Sequence, residues 1–266
     1  MAGDRFRTAT AVEEIERDDT RIVYAAEIFD GWDIGGNANG GYLMAIAGRA
    51  MAEATGRPPV TLTGHYLRPA PAGPCTVEVE IVRNGRRFAV ASATLSMEGK
   101  ATLRLLGTFG EQSDGGPSLV RGEPPELPGF DDCPTRPDSG EAPGLMANLD
   151  LRLHPDDTGF AIGEPSGTPL IRGWFDLADD EPIDAIALLL AADAFAPPVF
   201  NIDMPVAWVP TVELTVHIRA VPAPGRLAGR FESRFLQNDT VDEDGELWDS
   251  SGVLVARSRQ ISILPR

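Results

Sequence analysis

The alternation of apolar and polar positions sets out a short list of elements. Arg21 to Ile28 reads as a strand, and a glycine-rich loop follows it, Gly35-Gly36-Asn37-Ala38-Asn39-Gly40-Gly41. From Tyr42 to Thr55, Leu43, Ile46, Ala47, Ala50 and Ala54 fall at helical spacing, and Gly56 and Pro58 stop the run. This segment is alanine-rich and apolar around much of its circumference, which predicts a buried helix. Only strands are expected after it, over 60–68, 76–82, 87–97 and 101–109, with short turns at Asn84-Gly85 and Glu98-Gly99. Four strands in hairpin succession predict an antiparallel meander, because parallel pairing needs long crossovers. The expected packing is a curved sheet around one helix, an α+β arrangement.

The pattern then repeats. Leu62-Thr63-Gly64-His65-Tyr66-Leu67-Arg68, followed by Pro69, Pro71 and Gly73, recurs as Leu214-Thr215-Val216-His217-Ile218-Arg219, followed by Pro222, Pro224 and Gly225. The offset is 152 residues (62 to 214), and Gly99 recurs as Gly252 at an offset of 153. A near-constant spacing indicates a duplicated unit. The second copy is expected to open with a strand over 171–178 and a helical region from Pro182 to about Val199. Strands over 211–221 and 227–236, a short one near Glu246-Leu247-Trp248, and a last one over 253–264 complete it. Gly, Pro, Asp and Ser crowd the stretch between the copies, where one strand is expected at Leu149 to Leu153. The expected division is an N-terminal unit over 1–112, a linker over 113–168 and a C-terminal unit over 169–266.

Composition narrows the function classes. Of 266 residues, 42% are hydrophobic and 24% charged, as in ordinary folded domains. The net charge of −17 makes nucleic acid and anionic membrane poor partners, and an anionic small ligand would need a local basic patch. Two cysteines and three histidines (His65, His154, His217) form no metal-ligand spacing, so no zinc site is expected. The first 21 residues are polar and charged, unlike a secretory leader. The longest apolar run, Ile183 to Phe200, is broken by Asp184, Asp193 and Pro197-Pro198, too short to span a bilayer. A reduced, cytoplasmic protein is the expectation.

Several residues invite chemistry. The glycine loop lacks the G-x-G-x-x-G spacing and hairpin strands follow it, so a dinucleotide site is not expected. Gly40 and Gly41 either let the helix start pack closely or offer backbone N–H groups to a developing negative charge. His65 and His217 match between copies and are read as structural. Arg83, Arg86 and Arg87 form a basic cluster at a hairpin tip, solvated or available to ligand phosphates. Comparing the copies is more selective. Subtraction of the repeat offset sets Asp193 against Gly41, Thr211 against Pro59 and Gln260 against Gly107. Each polar side chain in the second copy faces a position in the first with no polar side chain. One such residue could be an ordinary cap; three together mark a site in the second copy.

Gly40-Gly41-Tyr42 opening an alanine-rich helix, then Tyr66-Leu67-Arg68-Pro69, resembles the first half of the type II acyl-CoA thioesterases, which are double hotdog proteins. Asp193, Thr211 and Gln260 resemble that family's Asp/Thr/Gln catalytic set. The resemblance implies an α+β double hotdog, two antiparallel sheets each wrapped around a central helix. It implies hydrolysis of acyl-CoA by an activated water, without a metal or other cofactor, with Asp193, Thr211 and Gln260 catalytic and Gly40 and Gly41 in substrate binding. Many members carry a histidine just before the paired glycines, where this chain has Asn39. A hydratase or dehydratase acting on the same thioesters, and a non-catalytic acyl-CoA binding module, are the competing readings. A homo-oligomer is expected, since outer strands of such folds often pair again.

Overall fold

The computed structural model describes residues 4–112, 119–134, 143–202 and 204–264. A short helix α1 (Arg5–Ala9) and an edge strand β1 (Val12–Arg17) precede β2 (Arg21–Ile28). A two-stranded ribbon, β3 (Asp33–Ile34) and β4 (Asn37–Ala38), leads into helix α2 (Gly40–Thr55). Asn39 caps α2 by accepting the Tyr42 N–H at 2.9 Å, and Gly56 ends it in the left-handed conformation (φ 64°). From Gly41 to Met51 every residue except Arg49 is buried, as the all-round apolar pattern predicts.

Strands β5 (Pro59–Tyr66), β6 (Gly73–Asn84), β7 (Ala89–Met97) and β8 (Lys100–Phe109) complete the first copy. The second holds β9 (Arg152–Leu153), β10 (Leu170–Phe175), helix α3 (Ala187–Ala191), β11 (Thr211–Ile218), β12 (Leu227–Glu232), β13 (Leu236–Gln237), β14 (Thr240–Trp248) and β15 (Leu254–Ile263). Thirteen strands form one antiparallel sheet in the order β1-β2-β6-β7-β8-β5-β11-β15-β14-β12-β10-β9, with β13 paired to β14. The run β5-β8-β7-β6-β2 is mirrored by β11-β15-β14-β12-β10. The repeat seen in sequence is therefore also a repeat of topology.

Four expectations change. First, β5 and β6 are not hairpin neighbours, because β5 pairs with β8. The connection between Tyr66 and Gly73 is longer than a two-residue hairpin loop and is stiffened by Pro69 and Pro71, and the chain leaves β5 and adds β6 beside β2. Second, the two expected sheets are continuous, joined edge to edge into one. With β6 elsewhere, the far edge of β5 is open, and β11 takes it. In that seam Thr63 lies opposite Thr215, with their hydroxyls 2.8 Å apart. These two are repeat partners, which is the register that a twofold axis through the pair requires. Third, the second helical region is one short helix. Asp184 starts it by accepting the Ile186 and Ala187 N–H groups at 2.9 and 2.8 Å; it ends at Ala191, and Pro197-Pro198 further on excludes the expected run to Val199. Fourth, the strand expected at Leu149 to Leu153 is confined to β9, with Leu149 bridged singly to Leu177. Residues 113–118 and 135–142 of the expected linker lie outside the described residues. Among the described residues, no helix is long and apolar enough to cross a membrane.

Helix α2 lies on the sheet and packs against α3; a Cβ at Gly48 would come within 2.7 Å of Leu189. Tyr42 ties the chain start to this core. Its fully buried ring stacks on Trp32 at 5.1 Å, and its hydroxyl donates to the Ala9 carbonyl at 2.7 Å and accepts from the Phe29 N–H at 3.1 Å. Tyr42→Phe leaves both backbone groups without that partner. A loss of about 1–3 kcal/mol in urea unfolding is the expected result, and an unchanged midpoint would show that the hydroxyl bridge is immaterial.

Candidate active site

One cavity of about 670 Å³ opens beside the start of α2. Both copies wall it, Leu43 and Tyr66 from the first and Phe195 and Trp208 from the second. The segment between the copies closes a further side with Met146 and Phe160, which sequence reasoning treated only as connection. The size and apolar lining suit a small organic ligand. Asp193, Thr211 and Gln260 all lie on its wall.

Asp193 comes just after α3 and is held by the other copy. Its Oδ2 accepts the Gly41 N–H at 2.8 Å and the Asn39 Nδ2 at 3.0 Å, while the same Nδ2 donates to the Asp193 carbonyl at 2.8 Å. Asn39, buried at 3% exposure, thus caps α2 with its oxygen and holds Asp193 with its nitrogen. The approach is close enough to demand glycine. A Cβ at Gly41 would stand 2.7 Å from the Leu189 carbonyl oxygen and 2.9 Å from the Asp193 Cβ; one at Gly40 would stand 2.9 Å from Oδ2. Tyr66 seals this corner, its hydroxyl donating to the Gly40 carbonyl at 2.8 Å.

Burial pushes the Asp193 carboxyl up to about 6, against the lowering effect of its Gly41, Asn39 and Gly40 partners. The side chain is half-buried, because it opens onto the cavity while protein encloses its other sides. At neutral pH it is a carboxylate with a proton affinity near that of a working base. Across the cavity wall, Thr211 starts β11 and donates its hydroxyl to Gln260 Oε1 at 3.3 Å. Gln260 lies on β15 with the buried Ala256, Ser258 and Ser262, on the inner face that its strand parity predicts.

The sequence reading needs three amendments here. Thr211 and Pro59 both start their strands, and Gln260 and Gly107 hold matching registers, opposite Leu214 and Leu62. Asp193 and Gly41, however, are not equivalents. Gly41 lies in the first turn of α2 and Asp193 beyond the end of α3, so the pairing by subtraction fails and the two touch instead. Second, the Gly41 N–H, a candidate for binding developing charge, is engaged by Asp193; Gly40 lines the cavity and Gly41 does not. Third, Arg83, Arg86 and Arg87 are exposed at the β6–β7 hairpin and do not line the cavity, whereas Arg68 does. His65 and His217 are exposed on β5 and β11, away from the cavity wall.

The raised carboxyl has a consequence for stability. Unfolded, Asp193 ionises near 3.8; folded, near 6. The folded state therefore loses relative stability as pH rises through that window and regains it below. Asp193→Asn keeps an acceptor oxygen for the Gly41 N–H and removes the penalty. At pH 7.5 the variant should be the more stable, by at most about 3 kcal/mol and by less where cavity water screens the charge. Below pH 4 the difference should vanish. Urea unfolding at the two pH values checks this, and a variant less stable at pH 7.5 would contradict it.

Residues 29–110 match the family model of the acyl-CoA thioesterase N-terminal domain, and residues 130–264 that of the C-terminal domain. The chain is 33% identical to a crystal structure described as a putative thioesterase II from Thermobifida fusca, which covers 100% of this chain and 98% of that one at a TM-score of 0.89. A protein of unknown function with a hot dog fold from Alicyclobacillus acidocaldarius is 22% identical, with 98% of each chain covered at a TM-score of 0.83, a likeness of fold. An uncharacterized protein of Mycobacterium tuberculosis is 28% identical over 98% of both chains. With both domain models matched in order, and the relative at one third identity spanning the whole length, the chain belongs to the acyl-CoA thioesterase family.

Proposed function

We propose that this chain hydrolyses acyl-CoA thioesters to the free acid and CoA, with water as the nucleophile and Asp193, Thr211 and Gln260 as the catalytic groups. The observation that carries the reading is the convergence of these three side chains on one apolar cavity. A thioester carbonyl is electrophilic, and its leaving thiolate is the base of a thiol of pKa about 8.5, so departure needs little acid help. What the site must supply is a held water, a base and donors for the tetrahedral oxyanion. Asp193 Oδ2 is occupied by the α2 start, which leaves Oδ1 to take the proton from water. The Gln260 amide N–H is the donor at hand, and the Thr211 hydroxyl, whose proton is engaged by Gln260 Oε1, can accept from the water. The acyl group would lie against the apolar walls, and Arg68, the one cation on the wall among the described residues, would meet the anionic end of CoA. On this reading the units over 1–112 and 169–266 divide the work. The first holds the base in position and the second carries the reacting groups.

One site per chain follows. At the equivalent place in the first copy, a Cβ at Gly107 would meet the Phe109 ring at 2.9 Å, and Phe109 is fully buried there. Titration with a non-hydrolysable thioether analogue of acyl-CoA should saturate at one per chain; two would defeat the assignment.

Thiol release from a panel of acyl-CoAs tests the activity. Asp193→Asn should lower kcat by about 10²–10⁴, and Gln260→Ala, the loss of one oxyanion donor, by about 10²–10³. Wild-type kcat should fall as pH drops through about 6, where Asp193 gains its proton. A hydrated enoyl product, or binding with no free thiol, would replace hydrolysis with one of the competing readings. Unaltered turnover in Asp193→Asn would remove Asp193 from the chemistry.

A further inference from the structure

Glu243 is a carboxyl group on the inner face of its strand. Along β14, Val241, Glu243, Gly245 and Leu247 are buried while Asp242, Asp244 and Glu246 between them are not. Glu243 is 8% exposed and lies directly opposite Gln260 in the β14–β15 register. The duplicated unit gives a control that holds at this place, since both strands keep the repeat offset. The position matching Glu243 is Ala91, and Ala91 lies opposite Gly107 as Glu243 lies opposite Gln260. A cross-strand pair of carboxyl and amide in the second copy is thus a pair of alanine and glycine in the first. A core position that accepts alanine in one copy has no packing need for a buried carboxyl in the other. Its cross-strand partner supplies the reason, because Glu243 and Gln260 are both buried on the same inner face and lie directly opposite each other, within side-chain reach.

We propose that Glu243 is a positioning residue for Gln260, holding the amide nitrogen while Thr211 holds the amide oxygen. This rests on the reading of Gln260 as a donor at the reaction centre. An unheld glutamine has three rotatable bonds, and an amide bound only at a threonine hydroxyl, itself donor and acceptor, has no fixed orientation. With Glu243 in place, one N–H of Gln260 is engaged and the other is left for water or oxyanion. Burial and the nearby Asp193 carboxylate both raise the Glu243 carboxyl well above its usual range, with Asp242 and Asp244 on the same strand acting in the same direction. Ionised or neutral, the group keeps a carboxyl oxygen able to accept from the Gln260 amide.

The test uses the full chain and two substitutions. Glu243→Gln keeps a carbonyl acceptor in nearly the same volume, and Glu243→Leu removes it while suiting an apolar core. Glu243→Leu should lower kcat for acyl-CoA hydrolysis about tenfold or more with KM within about threefold, and Glu243→Gln should stay near wild type. In a Gln260→Ala background, Glu243→Leu should cost less than about twofold further, since residues acting as a unit do not add. The side-chain amide resonances of Gln260, assigned by their loss in Gln260→Ala, should move in Glu243→Leu and much less in Glu243→Gln. This second readout needs no turnover. If the wild type released no thiol, the hydrolase reading would fall while the amide shifts still decided the Glu243–Gln260 link. Unchanged amide resonances and kcat in Glu243→Leu, or a loss as large without Gln260 as with it, would overturn the proposal.

Discussion

The antiparallel seam between β5 and β11 is the joint on which the rest of this structure depends. It sets Thr63 against Thr215, merges two curved sheets into one and brings the helices of the two copies together across the same axis. Without that register α3 would not lie on α2, and Asp193 could not reach the Gly41 N–H. The seam exists because the proline-bearing connections after β5 and β11 leave one edge of each strand unclaimed. An unpaired strand edge is a liability in water, and two copies of the same edge are the natural partners for each other.

The carboxylate at the cavity is held across that joint. Asp193 belongs to the second copy, but its carboxylate partners belong to the first: the amide of Asn39 and the first turn of α2. The paired glycines are there for approach. A side chain at Gly41 would meet backbone, which cannot give way as a flexible side chain can. The arrangement holds a half-buried carboxylate at a proton affinity useful near neutral pH, and the same desolvation that raises its pKa weakens the fold there. Chemistry and stability oppose each other at this residue, as is common where a site needs a buried charge.

Much of this was legible in the sequence. The apolar circumference of 42–55 gave a buried helix, the turn residues gave β6 to β8, and the constant offset gave the duplication. Strand parity placed Gln260 on the inner face. What escaped has identifiable causes. Strand order within the sheet is a long-range property, and only Pro69 and Pro71 hint that β5 does not turn into β6. The shortness of α3 follows from Asp184 and Pro197-Pro198 acting on a run whose apolar composition suits helix and buried coil equally. Subtraction worked for Thr211 and Gln260, which lie in strands where registers hold the offset. It failed for Asp193, because insertions between helix and strand shift the offset there. Glu243 was within reach by parity alone, a carboxylate in phase with Val241 and Leu247, but an acidic stretch reads first as a solvated face.

Duplication within one chain also explains why the site can be lopsided. In a symmetric dimer of identical subunits, each buried polar group would have an identical mate, and the desolvation cost would be incurred twice. Here the matching place in the first copy carries Pro59, Ala91, Gly107 and the buried ring of Phe109, all apolar or without a side chain. That half is free to pack as a core. The second half carries Thr211, Glu243, Gln260 and the smaller Ser262 in the corresponding registers, which leaves both the room and the hydrogen-bonding groups for a reaction. Each copy has moved to one side of a compromise that a symmetric pair must strike twice. The link between them is the hold that Asn39 and Gly41 keep on Asp193.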